Sequence, residues 1–409
     1  MKPRSVLISG IGIAGPALAY WLLRFGFRPT LVERASALRA GGYIIDFWGA
    51  GFDIVERMGL LDETLAAGYR LKEVRLVNRR GRRVSGFDAG VFAQATAGRY
   101  TSLPRSALSA ILYRSIEGRV ETIFGDTITG LAGDSRGIEA RFECSGSRRF
   151  DLVVGADGLH SVVRKLAFGP EAGFERFLGY TVAAFTTPGY RPRDEDAYVL
   201  FSVPGIQVGR FSMRGDRTMI LVVIAEQTPL MIESDEDRKR YLRQRLAHAG
   251  WECPQIVAAL EGSQDLYFDR ISQIRMNRWT RGRVALVGDA AYCVSLLAGQ
   301  GAALALIGAY TLAAELARSA SHIEAFDAYE RLLRPFMREK QDSAVRFAGS
   351  FAPRTALGVF LRNLVVKAFV FPGVARFAIG DSLADRITLP PQPAEASAEI
   401  VTDRLRLAP

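Results

Sequence analysis

A chain of 409 residues, 49% hydrophobic and 10% aromatic, can bury a sizeable core and fill two lobes plus a terminal extension, so a globular, multi-lobed protein is expected. No segment is an unbroken apolar run of membrane length, which argues against stable membrane insertion. The formal charge of +10 comes from single basic residues, such as Arg75, Arg119, Arg176 and Arg217, and from the turn-like run Arg79-Arg80-Gly81-Arg82-Arg83, not from a stripe that would bind nucleic acid.

The chain opens Met1-Lys2-Pro3-Arg4 and enters a short apolar strand with no secretory signal pattern, so a cytoplasmic location is expected. That strand, Ser5-Val6-Leu7-Ile8-Ser9, is followed by Gly10. A helix begins beyond Gly15, with Pro16 in its first turn, Ala17, Leu18, Trp21 and Leu22 on its apolar face, and Gly26 at its C-terminal cap. Thr30-Leu31-Val32 makes a second strand. This βαβ start predicts an α/β fold with a Rossmann-type lobe. Two more short apolar strands, residues 150–155 and 283–288, end in Gly155 and Gly288. Between them, residues 198–201, 207–213 and 218–224 are rich in Val, Ile and aromatics and are broken by Gly205 and Gly215, which predicts an inserted antiparallel sheet. The pattern after Gly301 is helical to about residue 350, a further helical stretch covers 357–378, and the tail from Pro390 onward reads as loose. The domain organisation that follows is a discontinuous nucleotide-binding unit (1–75, 100–170 and 275–350), a sheet unit for substrate (76–99 and 171–274), a helical cover (351–390) and a loose tail (391–409). Cys144, Cys253 and Cys293 are far apart and lack neighbouring His ligands, so neither a zinc site nor a disulfide framework is indicated.

Three segments carry the chemistry. In Gly10-Ile11-Gly12-Ile13-Ala14-Gly15, between a strand and a helix, Gly10 permits a tight turn and Gly12 lets the backbone approach a pyrophosphate. Gly15 lets helix and strand pack closely, and Glu33, ending the next strand, can accept hydrogen bonds from ribose hydroxyls. The second segment is Gly155-Ala156-Asp157-Gly158-Leu159-His160-Ser161-Val162-Val163-Arg164. The third is Gly288-Asp289-Ala290-Ala291, followed by Gly299-Gln300-Gly301 before a helix.

In this order the three segments resemble those of the flavoprotein aromatic hydroxylases, the single-component FAD monooxygenases that include para-hydroxybenzoate hydroxylase and the tetracycline-degrading monooxygenases. The resemblance spans roughly the first three quarters of the chain. It implies FAD as cofactor, NADPH or NADH as reductant, and transfer of one oxygen atom from dioxygen through a flavin C4a-hydroperoxide. By the same resemblance, Asp289 binds the ribityl chain, Arg105 contacts the cofactor's linker, and Glu33 with Arg34 holds the adenosine end. Asp46 resembles a flavin-side acid and Arg39 an arginine linked to NADPH. Ala14, Asp157 and Ala302 complete the cofactor set with the motif glycines. A helix N-terminus at residues 299–302, with glycines at 299 and 301 clearing the approach, would stabilise negative charge at flavin N1 and the C2 carbonyl.

A flat aromatic or polycyclic small molecule is the substrate class the resemblance implies, in a protein that is a monomer or homodimer. An apolar wall for it is expected from Phe185, Phe201, Phe211, Met213, Val222 and Leu296. Two features depart from the family pattern: Tyr292-Cys293-Val294-Ser295-Leu296-Leu297-Ala298 replaces a segment that usually begins with His and carries a Pro pair, and Ala303 stands where many relatives have Asn. No Ser-His-Asp, metal or paired-carboxylate constellation is visible, so no catalytic base is assigned. The alternatives are a flavin oxidase or reductase without oxygen insertion, a flavin-dependent halogenase, disfavoured because the W-x-W-x-I-P signature is absent, and a non-catalytic dinucleotide-binding protein.

Overall fold

The computed structural model of the protein describes residues 5–39, 41–369, 385 and 387–393. Its α/β core is a six-stranded sheet. The strand Ser5–Ser9 lies between Arg28–Glu33 and Leu152–Gly155, Glu121–Phe124 extends one side and Val284–Leu286 the other, all parallel, and Thr280–Arg281 closes one edge antiparallel. Strands covered on both faces are apolar without alternation, which is why Val6, Leu7 and Ile8 are all fully buried. Register decides the function of this sheet. Ser9 pairs with Gly155 and Gly155 with Leu286, so the three glycine-bearing loops leave adjacent strands side by side at the carboxyl edge, where open α/β sheets bind ligands.

The first helix, Ala14–Arg24, packs against Gly301–Arg318, with the Trp21 and Tyr310 rings 4.9 Å apart. Helical sequence continues past Gly301 as expected, but in two helices, Gly301–Arg318 and His322–Phe351. The second helix is capped at the break: the Ser321 hydroxyl accepts from the Glu324 amide at 3.3 Å, and the Glu324 carboxylate accepts from the amide of the preceding Ala320 at 3.3 Å. The final described helix is Ala356–Ala368, and the rest of the expected 357–378 stretch beyond residue 369 lies outside the described residues. The segment leading into the tail is tied down. Asp385 accepts from the Ala50 amide at 2.9 Å and pairs with Lys340 at 2.7 Å, Ile387 and Leu389 pack on the main core, and the Tyr310 hydroxyl donates to the Pro390 carbonyl at 2.8 Å. Residues 394–409 lie outside the described set. No helix among the described residues is long and apolar enough to cross a membrane.

The inserted sheet has seven strands in the order Tyr267–Ile274, Glu175–Pro188, Arg217–Ala225, Ile206–Met213, Ala197–Val203, Glu73–Val77 and Arg83–Asp88, antiparallel except where Ala197–Val203 meets Glu73–Val77. The strand Glu73–Val77 straddles position 75, where the sequence suggested a division. One face of this sheet packs Phe185, Val199, Phe201, Ile220 and Val222 onto Leu242, Leu246, Ile256 and Leu260 of the helices Asp235–Leu246 and Cys253–Glu261. The other face presents Val182, Tyr198, Leu200, Phe211, Met219 and Leu221 to a large cavity. Phe185, Phe201 and Val222 therefore do not form the expected cavity wall: the period of two in a strand turns them to the helix-covered face. Met213 has the same parity as Phe211 but lies at the strand's far end, where it lines a separate hollow with Tyr69, Arg193 and Arg214. Phe185→Ala should accordingly lower unfolding free energy by about 3–5 kcal/mol, read by urea denaturation, as a loss of core packing remote from the cavity.

Candidate functional site

The cavity, about 1540 Å³, is lined both by the three loops at the sheet's carboxyl edge and by the open face of the seven-stranded sheet. Gly10, Gly12 and Ala14 form its floor, whereas Gly15 lies beneath the surface. The three motif glycines are required for different reasons. A Cβ on Gly10 would sit 2.6 Å from the Ala156 carbonyl oxygen, and one on Gly15 only 2.0 Å from the Gly10 carbonyl oxygen. At Gly12 the nearest protein atom to such a Cβ is the tip of Arg105, 3.3 Å away. Packing fixes Gly10 and Gly15, while the space above Gly12 belongs to whatever occupies the cavity. The loop is held from below by the Ser109 hydroxyl, which donates to the Gly12 carbonyl at 2.9 Å. Glu33 holds it from the side, accepting from the amides of Ile11 and Ala35, both at 3.0 Å. Each carboxylate oxygen keeps a second lone pair for a hydroxyl. Arg34 and Arg39 are exposed at the cavity rim.

Asp157 lines the cavity but faces inward, accepting from the Ser161 hydroxyl and, at 3.1 Å, from the Val163 amide, so that it fixes the start of the helix Val162–Phe168. Arg164, fully buried, ties the second motif to the third: it donates to the carbonyls of Leu159 at 2.6 Å and Ala290 at 3.0 Å, and pairs with Glu171 at 2.7 Å. His160 is half-exposed between Asp269 at 3.1 Å and Glu171 at 2.9 Å, and these two carboxylates hold its imidazole up to about 9. It is thus an ion-paired residue of the cavity wall.

Asp289 opens the third motif at the cavity wall. Burial pushes its carboxyl above the ordinary value, opposed by the positive charge of Arg105 and by the Cys293 thiol that donates to it. Beyond it, Leu296, Gly299, Gly301 and Ala302 line the cavity where the 18-residue helix Gly301–Arg318 begins without a side-chain cap. The helix Ala14–Arg24 also starts uncapped at this surface. Two helix N-termini with free amides therefore point at one space. The departure from the family pattern after Ala291 is absorbed by packing. The Tyr292 ring lies 4.7 Å from that of Trp279, and its hydroxyl occupies the place a Cβ on Gly308 would need. Ser295, at φ +125°, carries backbone strain where the chain turns back to the cavity.

Asp46 faces the cavity from the strand Ile44–Trp48, accepting from the Tyr100 and Ser102 hydroxyls, both at 2.6 Å. Trp48 belongs to the same wall, with its ring edge 3.5 Å from where a Cβ on Gly299 would lie. Trp48 was readable from sequence, because residues 44, 46 and 48 share one face of a strand. Tyr43, whose hydroxyl burial pushes up to about 12, packs with its ring tilted against that of Tyr267, 5.5 Å away on the cavity wall, and no sequence motif marks that pair. Among the described residues no group of three His, Cys, Asp or Glu side chains is placed to hold a metal.

A glycine floor, two uncapped helix N-termini and carboxylates at separate stations make a surface shaped for a long, doubly anionic dinucleotide, with an apolar chamber beside it. That is the site of a dinucleotide-dependent flavoprotein. Residues 4–344 match the family model described as FAD binding domain, and the chain belongs to this family of FAD-dependent monooxygenases. It is 40% identical over 319 residues, 76% of this chain and 85% of the other, to an uncharacterized protein of Mycobacterium tuberculosis. It is 34% identical to a flavin-dependent monooxygenase from an unknown prokaryotic organism, over 85% of this chain and 90% of that one. The crystal structure of the tetracycline destructase Tet(55) superposes with a TM-score of 0.82 at 31% identity, covering 95% of this chain and 99% of that one. The protein is an enzyme, an FAD-dependent monooxygenase that draws on NAD(P)H and dioxygen and acts on a small organic molecule.

Proposed function

We propose that this enzyme inserts one oxygen atom into a flat aromatic or polycyclic molecule held in the apolar chamber between the third motif and the seven-stranded sheet. The observation that carries this reading is the continuity of a single cavity from the glycine floor to the apolar face bearing Leu200, Phe211, Met219 and Leu221. Likeness to a tetracycline destructase supports a polycyclic substrate.

In this reading residues 10–14 receive the pyrophosphate, Glu33 and Arg34 the adenosine end, and Arg105 the linker. Asp157 keeps the second loop in place, Asp289 accepts from the ribityl chain, and Gly299, Gly301 and Ala302 present backbone N–H groups to the flavin edge. Bound FAD supplies the redox chemistry, electron uptake from NAD(P)H and activation of dioxygen. The chain supplies orientation and a dry chamber, with Leu296 and Phe211 excluding water at its wall. In this reading the glycine-floored unit holds the cofactor and the inserted sheet holds the substrate. A reducing, cytoplasmic setting suits its three free cysteines, and a monomer or homodimer would leave the cavity complete within one chain.

Anaerobic titration of the yellow holoenzyme with NADPH and NADH, followed by turnover under labelled dioxygen, tests the reading. Label in the product supports it, and hydrogen peroxide with unlabelled product would make the enzyme an oxidase. Arg39, exposed at the rim, is proposed to draw in the anionic reductant. Arg39→Ala should then raise the NADPH concentration needed for half-maximal reduction and weaken its salt dependence, because an exposed charge steers over about 8–10 Å, with FAD content near normal. Stopped-flow reduction at several NADPH and salt concentrations measures both.

A further inference from the structure

On the apolar, sheet side of the cavity one arginine has no acidic partner among the described residues. Arg362, on the helix Ala356–Ala368, lines the cavity beside Leu200, Val366 and Phe369. Its guanidinium donates to four neutral acceptors: Gln207 Oε1 at 2.8 Å, the Phe351 carbonyl at 3.2 Å, Ser202 Oγ at 2.9 Å and Asn363 Oδ1 at 3.0 Å. No carboxylate acts on it, and burial alone pulls it down to about 10, so it stays charged at neutral pH. Several arginines of this sheet do have acids: Arg210 pairs with Asp194 and Glu252, Arg75 with Glu73 and Asp194, and Arg270 with Glu175.

The neighbour of Arg362 is also incomplete. Gln207 is 2% exposed and lines the cavity, its Oε1 accepting from Arg362 and Ser202, while its Nε2 has no hydrogen-bond partner. An amide nitrogen buried without an acceptor is costly unless a ligand supplies one. Ser202 and Gln207 are direct cross-strand partners on the cavity-facing side of their hairpin. Two donor groups with hydrogens to spare, one from the hairpin and one from the helix, are thus gathered on a chamber wall that is otherwise apolar.

We infer that Arg362 and Gln207 form an anion-recognising subsite of the substrate chamber, which selects aromatic or polycyclic substrates bearing a carboxylate or an ionised enol or phenol oxygen. The inference rests on the chamber being the substrate site and adds the charge of the substrate to that reading. The oxygen accepts from the free Nε2–H of Gln207 and the remaining Nη2–H of Arg362. The apolar body then extends along Leu200, Leu221 and Phe211, and the acidic group fixes its orientation. An acidic group on the substrate supplies the counter-charge the protein leaves out, and an uncharged analogue leaves both donors unpaired, which is the larger source of discrimination.

The test uses FAD-loaded protein and two probes of the same shape, 2-naphthoate and its uncharged amide 2-naphthamide, with binding read by equilibrium dialysis and by perturbation of the flavin spectrum. Wild type should bind the carboxylate at least roughly tenfold more tightly, in line with a charge-assisted hydrogen bond. Arg362→Gln should abolish the preference and Arg362→Lys should keep part of it. Gln207→Glu, which supplies the missing acid in the same volume, should reverse it toward the amide. Equal affinity of the two probes in wild type, or a preference that survives in both Arg362→Gln and Gln207→Glu, overturns the subsite. Flavin reduction by NADPH is followed on the same preparations, so overturning the subsite leaves the monooxygenase reading standing, and failure of that reading shows in a separate signal.

Discussion

Gly12→Val is expected to yield a folded protein that retains no FAD. The backbone around Gly12 does not need glycine to pack: a Cβ there meets only the mobile end of Arg105 at 3.3 Å, and the residue's φ is not in the left-handed region. Its branched side chain would stand on the cavity floor, in the space where the phosphate must approach the amides at the start of the helix Ala14–Arg24. Gly15→Ala should behave in the opposite order. A methyl 2.0 Å from the Gly10 carbonyl oxygen forces the first helix off the first strand, so the protein loses stability first and cofactor as a consequence. Thermal melts of the FAD-free proteins and flavin occupancy after gel filtration separate the two cases. If Gly12→Val binds FAD normally, the glycine floor is not the pyrophosphate site. If it melts as far below wild type as Gly15→Ala, the assignment of its space to a ligand is wrong.

This division between packing and binding glycines also marks how far the sequence could be read. The three motifs were legible because their geometry is local: each is a strand end, a loop and a helix start within about a dozen residues, and the parallel pairing that joins them follows from the βαβ connection. The substrate wall was not legible, for a reason visible in the strands themselves. In Glu175–Pro188 and Arg217–Ala225 both faces are buried, one under helices and one under the cavity, so apolar residues fall on both and the alternation that separates inside from outside disappears. Phe185 and Val222 are as apolar as Val182 and Leu221, and only tertiary packing tells them apart. Arg362 and Gln207 lie 155 positions apart and meet through the return of the C-terminal helix over the sheet, a contact that no local pattern encodes. Asp46 was reached through the family resemblance, and strand alternation from it would have reached Trp48 on the same face.

Asp289 carries the second large expectation, because cofactor binding and stability of the empty protein should respond to it in opposite directions. Burial raises its carboxyl above the ordinary value and Arg105 only partly compensates. For an acid with a raised folded-state pKa, the fold favours the neutral form. The ionised residue therefore destabilises the FAD-free protein once pH exceeds the unfolded value, increasingly up to the raised one. Asp289→Asn keeps the shape and removes the ionisation, so the FAD-free variant should melt above wild type at neutral pH, and the gap should close as the pH falls toward the ordinary carboxylate range. Asp289→Ala should in turn weaken FAD by about 1–3 kcal/mol, the cost of leaving a ribityl hydroxyl without its acceptor, which is roughly 5- to 150-fold in dissociation constant. Saturating FAD should then restore the order, raising the melting temperature of wild type further than that of either variant, since a ligand stabilises in proportion to how far its concentration exceeds its dissociation constant. Melts of both variants with and without FAD between pH 4 and 8 (about the span that separates the two ionisation states) measure all of this. An FAD-free Asp289→Asn protein no more stable than wild type at neutral pH would show that Arg105 fully neutralises the carboxylate, and unchanged FAD affinity in Asp289→Ala would remove the third motif from the ribityl site.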